Sequence, residues 1–265
     1  MEWRRVLKNY ITSLVQSIFH SEIQRYGEDK FLLSKKENTA YHVKQAYQFL
    51  SDTELKRVLS QYKVDLVLDV GANRGQFARY VRQNIGYEGK IISFEPIKDV
   101  FEQTSQLCQI DPLWDIYNLA LAEQDGEQEI NVSKATELSS FLETNDYSVR
   151  FRGSESIDRR EKVTKCRLDT FLKREVQNYS ALKIFLKMDT QGYDLKVFAG
   201  LGDAVGSIVA LQSEISVIPI YREMPHLTES INCFEREGFS IVGLFPVSRE
   251  KSLRVIEYDC LMVRI

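Results

Sequence analysis

The spacing of apolar positions changes along this chain and divides it into two regions. In the first sixty residues Val6, Leu7, Tyr10, Ile11, Leu14, Val15, Ile18 and Phe19 recur at helical spacing, with Arg4, Arg5 and Lys8 on the other side. A second helix is predicted over residues 41–50. Ser51-Asp52-Thr53-Glu54 reads as a capping box that opens a short helix through Leu59. From Val64 onward, apolar runs too short for helices alternate with helical patterns. Strands are predicted over residues 64–70, 90–94 and 114–121, with Phe77, Ala78, Val81 and Ile85 on one helical face and a further helix near residues 97–108. Period-two alternation predicts two more strands at 127–132 and 163–168. Strands at 182–189 and 208–215 are separated by a helix over 193–199. A helix over 227–237 ends at Gly238, a left-handed cap, and an antiparallel pair at 239–245 and 259–264 closes the chain.

This alternation predicts an α/β fold: a doubly wound, mostly parallel, seven-stranded sheet with an antiparallel edge, over residues 63–265. Residues 1–62 form an N-terminal helical extension. An amphipathic basic helix there is expected to pack on its own domain, to pair two copies in a homodimer, or to touch an anionic membrane surface. Residues 133–162 are polar, contain glycine and carry Arg150, Arg152, Arg159 and Arg160. A connection of that length is usually functional or disordered, and a lid or substrate-binding insertion is expected. The arginines hint at an anionic acceptor such as a nucleotide sugar.

Composition narrows the function classes. Of 265 residues, 43% are hydrophobic and 28% charged, ordinary for a folded soluble protein. A net charge of −3 argues against general nucleic-acid binding, which needs an excess of Lys and Arg. No apolar run approaches the roughly 20 residues needed to span a bilayer, and the first residues lack the h-region of a signal peptide. The four cysteines, Cys108, Cys166, Cys233 and Cys260, form no C-x-x-C pair and read as free thiols, so a cytoplasmic location is expected.

The most informative stretch is residues 64–96. A strand ends in Gly71-Ala72-Asn73-Arg74-Gly75, a helix follows, and the next strand stops at Glu95-Pro96. Two glycines allow a sharp bend and close approach of a ligand to the backbone. An acid at the tip of the second strand can accept hydrogen bonds from both hydroxyls of a ribose. The turn lacks both the G-x-G-x-x-G of dinucleotide enzymes and the phosphate-cradling G-x-x-x-x-G-K-[ST]. A ligand with an amine and a ribose but no phosphate fits, and S-adenosylmethionine answers that description.

Five further motifs join this stretch: N-L-A-L-A at 118–122, R-L-D at 167–169, L-K-M-D-T-Q-G-Y-D at 186–194, L-Q-S-E-I-S followed by P-I-Y over 211–221, and E-G-F at 237–239. With D-V-G-A-N at 69–73 and S-F-E-P at 93–96, this combination resembles the FkbM family of S-adenosylmethionine-dependent methyltransferases. The resemblance covers Val64 to the C-terminus. It implies a class I, Rossmann-like methyltransferase fold and O-methylation of a hydroxyl on a sugar or glycan, a polyketide or a related metabolite, in the manner of polysaccharide biosynthesis. Many family members carry Val-Glu where this chain has Thr190-Gln191; the position is read here as turn-forming.

The expected cofactor-binding residues are Asp69, Gly71, Ala72, Asn73, Gly75, Phe77, Glu95, Pro96, Asn118, Ala120 and Asp189. Asp69 is placed near the cofactor's amino-acid moiety, and Asn118 and Ala120 beside the adenine. Asn118 reads equally well as a turn residue. Asp189, at the end of its strand, is the first candidate for positioning the acceptor or taking its proton, with capping of the following turn as the plain alternative. Glu214 on the adjacent strand is the second. His226, in the loop after that strand, is a third candidate base, with a surface histidine as the more usual reading of such a position. Asp189 and Glu214 together could hold a divalent cation, but two acids are a weak ligand set and no metal site is assigned. Lys187 shares a face with Asp189 and is expected to pair with it or merely neutralise it. The competing reading is a cofactor-binding scaffold of the same fold without turnover.

Overall fold

The structure is a computed structural model and describes residues 21–25, 31–35, 39–152 and 157–265. The chain divides into two compact units, Met1–Ser51 and Asp52–Ile265. In the first, β1 (Ser21–Arg25) and β2 (Phe31–Lys35) form an antiparallel hairpin. The sequence gives no reading for that pair. The predicted helix over residues 6–19, on which the expectations of membrane contact and of a homodimer rest, lies outside the described residues. The two short helices expected before residue 60 are one, α1 (Thr39–Gln61), because the capping box at Ser51 sits inside a continuous helical run.

The second unit carries the predicted sheet. Its elements are β3 (Leu66–Val70), α2 (Gln76–Tyr80) running into a π-type turn (Val81–Ile85), β4 (Lys90–Phe94), α3 (Lys98–Cys108), β5 (Trp114–Tyr117), β6 (Ala120–Leu121), β7 (Gly126–Ser133), α4 (Asp146–Arg152), β8 (Ile157–Cys166), α5 (Leu168–Glu175), β9 (Ile184–Met188), α6 (Asp194–Ala199), β10 (Ile208–Ser216), α7 (Leu227–Arg236), β11 (Phe239–Arg249) and β12 (Val255–Arg264). Seven strands pair in the order β11-β12-β10-β9-β3-β4-β5. β10, β9, β3, β4 and β5 run parallel; β12 lies antiparallel to β10, and β11 lies antiparallel to β12, so that β12 alone is reversed in this sheet.

Both faces of the central strands are covered, which is why their sequences read as near-continuous apolar runs. Alternation along each strand assigns the faces. Val67, Ile91 and Phe185 pack with Leu55, Val58 and Leu59 of α1 and with Ala78, Val81 and Ile85. Leu66, Leu68, Leu186 and Met188 pack on the opposite face with Phe171, Val197, Phe198 and Phe234.

Two strand readings change. The strand expected over 114–121 breaks at Asn118, and its second half, β6, joins β8 and β7 in a separate three-stranded sheet. β8 begins at Ile157, inside the stretch read as an insertion, and α4 occupies more of it. The polar surface there reflects a hairpin exposed on one side, with Ile130, Val132 and Val163 buried beneath it against Ile97 and Val100.

Candidate active site

The carboxyl ends of β3, β4, β9 and β10 form one edge. The first turn is tight. Gly71 has φ +80°, and a Cβ placed on it would lie 2.1 Å from the Asp189 carbonyl oxygen. Gly75 has φ +69°, and its Cβ would lie 2.5 Å from the Trp114 ring. Both glycines therefore make room for the protein itself rather than for a ligand. One brings the turn against the end of β9, and the other seats α2 over β5. The Asp189 N–H donates to the Val70 carbonyl, which ties the two strand ends together (3.1 Å).

Four N–H groups of this turn are used internally. Gly71 and Ala72 donate to the Phe94 carbonyl, and Gly75 donates to Ala72. The Asn73 N–H donates to Glu95 Oε2 (2.8 Å), and the Ile97 N–H donates to Glu95 Oε1 (2.8 Å). A phosphate would find no cradle here. Each Glu95 oxygen accepts one backbone hydrogen and keeps a further lone pair, an arrangement that suits a vicinal diol. Glu95 is 4% exposed, and burial pushes its carboxyl up to about 7 against the two backbone donors. These two acceptor oxygens thus fit the ribose hydroxyls of a sulfonium nucleoside. Asn118 donates to the Glu95 and Pro96 carbonyls (both 2.9 Å), the action of a turn residue that fixes the strand tip.

Other residues expected at the cofactor sit deeper. Asp69 is 0% exposed and lies in register with Ser93 on β4 and Lys187 on β9. Trp114 Nε1 donates to Ser93 Oγ (2.9 Å), Ser93 donates to Asp69 Oδ2 (3.0 Å), and Lys187 Nζ lies 3.5 Å from Asp69 Oδ1. The Asp69 carboxylate is therefore buried inside the sheet, with Oδ2 hydrogen-bonded and Oδ1 held by the charge of Lys187 without a hydrogen bond. Burial raises its pKa, opposed chiefly by Lys187. Phe77 is also committed to packing, stacked on Phe185 with the Lys187 ammonium over its ring. Ala120 is buried under the small sheet.

Asp189 is different. Its side chain is 40% exposed at the edge. Lys187 Nζ lies 3.4 Å from Asp189 Oδ2, so the pairing expected from strand alternation forms. Although burial disfavours its charge, the carboxylates of Asp189 and Asp69 hold the Lys187 ammonium charged. The turn after Asp189 is capped by another acid: Asp194 accepts from the Thr190 N–H (2.9 Å) and from Ser213 (2.6 Å). This removes capping as the reason for Asp189. Glu214 stands beside it on β10, and burial first, then Asp189, pushes its carboxyl well above the usual range. Gln191, with φ +52°, donates its side-chain amide to Asp189 Oδ1 (3.0 Å) and Glu214 Oε2 (3.1 Å). The sequence shows it only as a turn residue; its bridging role has no local signal.

His226 sits at the N-cap of α7, where its ring accepts from the Thr228 N–H (3.3 Å). That contact commits Nδ1 to the helix end.

Residues 136–144 lie across the edge. Thr136 bonds the Asn73 side chain (3.1 Å), Ser140 Oγ donates to the Gln191 carbonyl (2.8 Å), and the Tyr221 hydroxyl reaches the Leu138 carbonyl (3.0 Å). Two of the arginines beyond them pair with acids, and Arg150 donates to the Asp146 carbonyl (3.3 Å). Arg159 pairs with Asp99 (2.9 Å) and Glu161 (3.2 Å), and Arg160 with Glu143 (3.9 Å). Among the described residues no group of three or more His, Cys, Asp and Glu is arranged to hold a metal ion, and no helix is long and apolar enough to cross a membrane.

Residues 69–241 match the family model of the methyltransferase FkbM domain. No curated protein matches the chain. Among solved structures, an FkbM methyltransferase from Methylobacillus flagellatus KT is 12% identical with a TM-score of 0.47, over 76% of this chain and 43% of that one. The chain thus spans under half of that protein's length. Aeropyrum pernix fibrillarin with natively bound S-adenosyl-L-methionine is 12% identical at TM-score 0.46, over 93% of this chain and 84% of that one. Magnesium protoporphyrin IX methyltransferase from Synechocystis PCC 6803 with bound SAH is 9% identical at TM-score 0.42, over 99% and 100%. Scores this low do not bear on activity. The family model covers well over half of the chain, and with the motifs it matches, it places this protein in the FkbM methyltransferase family, with S-adenosylmethionine as its cofactor.

Proposed function

We propose that this protein is an O-methyltransferase that acts on a hydroxyl of a small-molecule acceptor, a sugar or glycan or a related secondary metabolite. S-adenosylmethionine supplies, when bound, a methyl group activated by its sulfonium. Glu95 holds the ribose hydroxyls, and residues 71–73 form the floor of the crevice. Asp189 orients the acceptor hydroxyl and takes its proton, because a hydroxyl must shed that proton as it attacks. Lys187 keeps the Asp189 carboxylate oriented. Glu214 supports it from β10, and residues 136–144 limit water at the edge. The observation that carries this reading is the Asp189 carboxylate itself: solvent-reachable, gripped by Lys187, and tied through its own backbone to the end of β3.

The test is a panel of methyl glycosides, nucleotide sugars and hydroxylated aromatics incubated with methyl-labelled S-adenosylmethionine. Labelled methyl ether is the expected product. Asp189→Asn is expected to bind S-adenosylhomocysteine within about threefold of wild type and to lose turnover by roughly 10²–10⁴-fold, the range of a general base. Methyl transfer at the wild-type rate by Asp189→Asn would end the reading. Tight S-adenosylhomocysteine binding with no product across the panel would favour a scaffold without turnover.

A further inference from the structure

The amide of Gln191 occupies an unusual place. The residue is 8% exposed and its backbone lies at φ +52°, a conformation that costs an L-residue without a short polar side chain. Its Nε2 donates to both Asp189 Oδ1 (3.0 Å) and Glu214 Oε2 (3.1 Å), and its Oε1 accepts from the Tyr221 hydroxyl (3.0 Å). The Asp189 carboxylate offers only acceptors, which turns Nε2 toward it, and the single Tyr221 hydrogen is shared between Gln191 Oε1 and the Leu138 carbonyl (3.0 Å each). The backbone is held as well, since the Gln191 carbonyl accepts from Ser140 (2.8 Å).

We propose that Gln191 is the positioning residue of this site: its amide clamps Asp189 to Glu214, and Tyr221 clamps the amide. This rests on the reading that Asp189 meets the acceptor. With one Asp189 oxygen taken by the amide and the other by Lys187, the carboxylate cannot rotate, and its remaining lone pairs face the open edge. A neutral bridge also suits the charges around it. Glu214 is faced by Asp189 just past the end of β9, Asp194 of α6, and Glu257 and Asp259 of β12. A third carboxylate between Asp189 and Glu214 would add repulsion and bring no donor.

Nuclear magnetic resonance of the full chain, free and with S-adenosylhomocysteine, tests this without an acceptor. The Gln191 side-chain amide protons, assigned by their loss in Gln191→Glu, are expected to be inequivalent, protected from exchange, and shifted by pH in step with the Glu214 carboxyl carbon. Tyr221→Phe is expected to speed their exchange by about tenfold or more. Gln191→Glu is expected to move the Glu214 titration up by about one pH unit or more while leaving S-adenosylhomocysteine affinity within about threefold. Rapidly exchanging amide protons that ignore pH, or a Glu214 titration unmoved in Gln191→Glu, would overturn the proposal. If Gln191→Glu fails to fold, the wild-type and Tyr221→Phe exchange rates still decide. None of these readings uses turnover, so failure of the bridge and failure of the Asp189 mechanism are separable.

Discussion

At the scale of single residues, Glu95 carries a pH dependence whose sign can be worked out. Burial raises its folded pKa from the ordinary 4.5 to about 7. Between those values the folded chain binds more protons than the unfolded one, so this group makes the free protein lose stability as pH rises from about 4.5 to about 7. A ligand that donates two hydroxyls favours the carboxylate over the acid. S-adenosylhomocysteine affinity is therefore expected to rise between pH 6 and pH 8, by up to about tenfold per unit below the folded pKa, with release of a proton. Calorimetry in two buffers of different ionisation enthalpy reads that proton directly; uptake instead of release would contradict the assignment. Glu95→Ala also strands the Asn73 and Ile97 N–H groups, and is expected to weaken S-adenosylhomocysteine by roughly 2–4 kcal/mol from the loss of charged hydrogen bonds. Lys187 is the counterpart inside the sheet. Lys187→Met leaves Asp69 buried without its cation, and is expected to cost about 3–5 kcal/mol in denaturant unfolding at pH 7. The loss should shrink as pH falls, because Asp69 then takes up a proton.

At the scale of elements, the two turns at the sheet edge lock together through backbone, not side chains. Gly71→Ala forces a Cβ to within 2.1 Å of the Asp189 carbonyl at a positive φ, so the end of β3 must part from the end of β9. The expected cost is roughly 2–4 kcal/mol, in the range of strain at a special backbone conformation, with S-adenosylhomocysteine binding weakened as well. In Gly75→Ala the obstacle is the Trp114 side chain at 2.5 Å. Trp114→Leu in the same chain is expected to recover part of the lost melting temperature, whereas no side-chain change should rescue Gly71→Ala. The helices were legible because each shows one covered face at helical spacing, and the central strands because two covered faces make each a continuous apolar run. Asn118 misled: its apolar flanks read as one strand, while its side chain turns back to the Glu95 and Pro96 carbonyls and hands β6 to another sheet.

At the scale of the whole molecule, the residues assigned to the cofactor and to the acceptor all lie beyond residue 68. The core under them draws on α1 through Leu55, Val58 and Leu59. A protein beginning at Thr39 is therefore expected to unfold cooperatively and to bind S-adenosylhomocysteine within about threefold of the full chain. Circular dichroism and calorimetry check this, and loss of binding would assign the first 38 residues a part in the site. The lid reading of the polar stretch belongs here too, since residues 136–144 reach the edge only through partners far along the chain.

The amino-acid sequence by itself determined the alternation of strand and helix, the doubly wound sheet, the acid at the tip of the second strand and the pairing of Lys187 with Asp189, because each follows from periodicity or from neighbours on one strand. Tertiary structure alone decided that Asp69 and Phe77 face inward, that the glycines serve the packing of strand ends, that Asp194 rather than Asp189 caps its turn, and that Gln191 joins two acids under Tyr221. Those outcomes depend on side chains brought together from separate strands and loops, and burial settles which polar groups must satisfy one another there; no local pattern encodes who the partner will be.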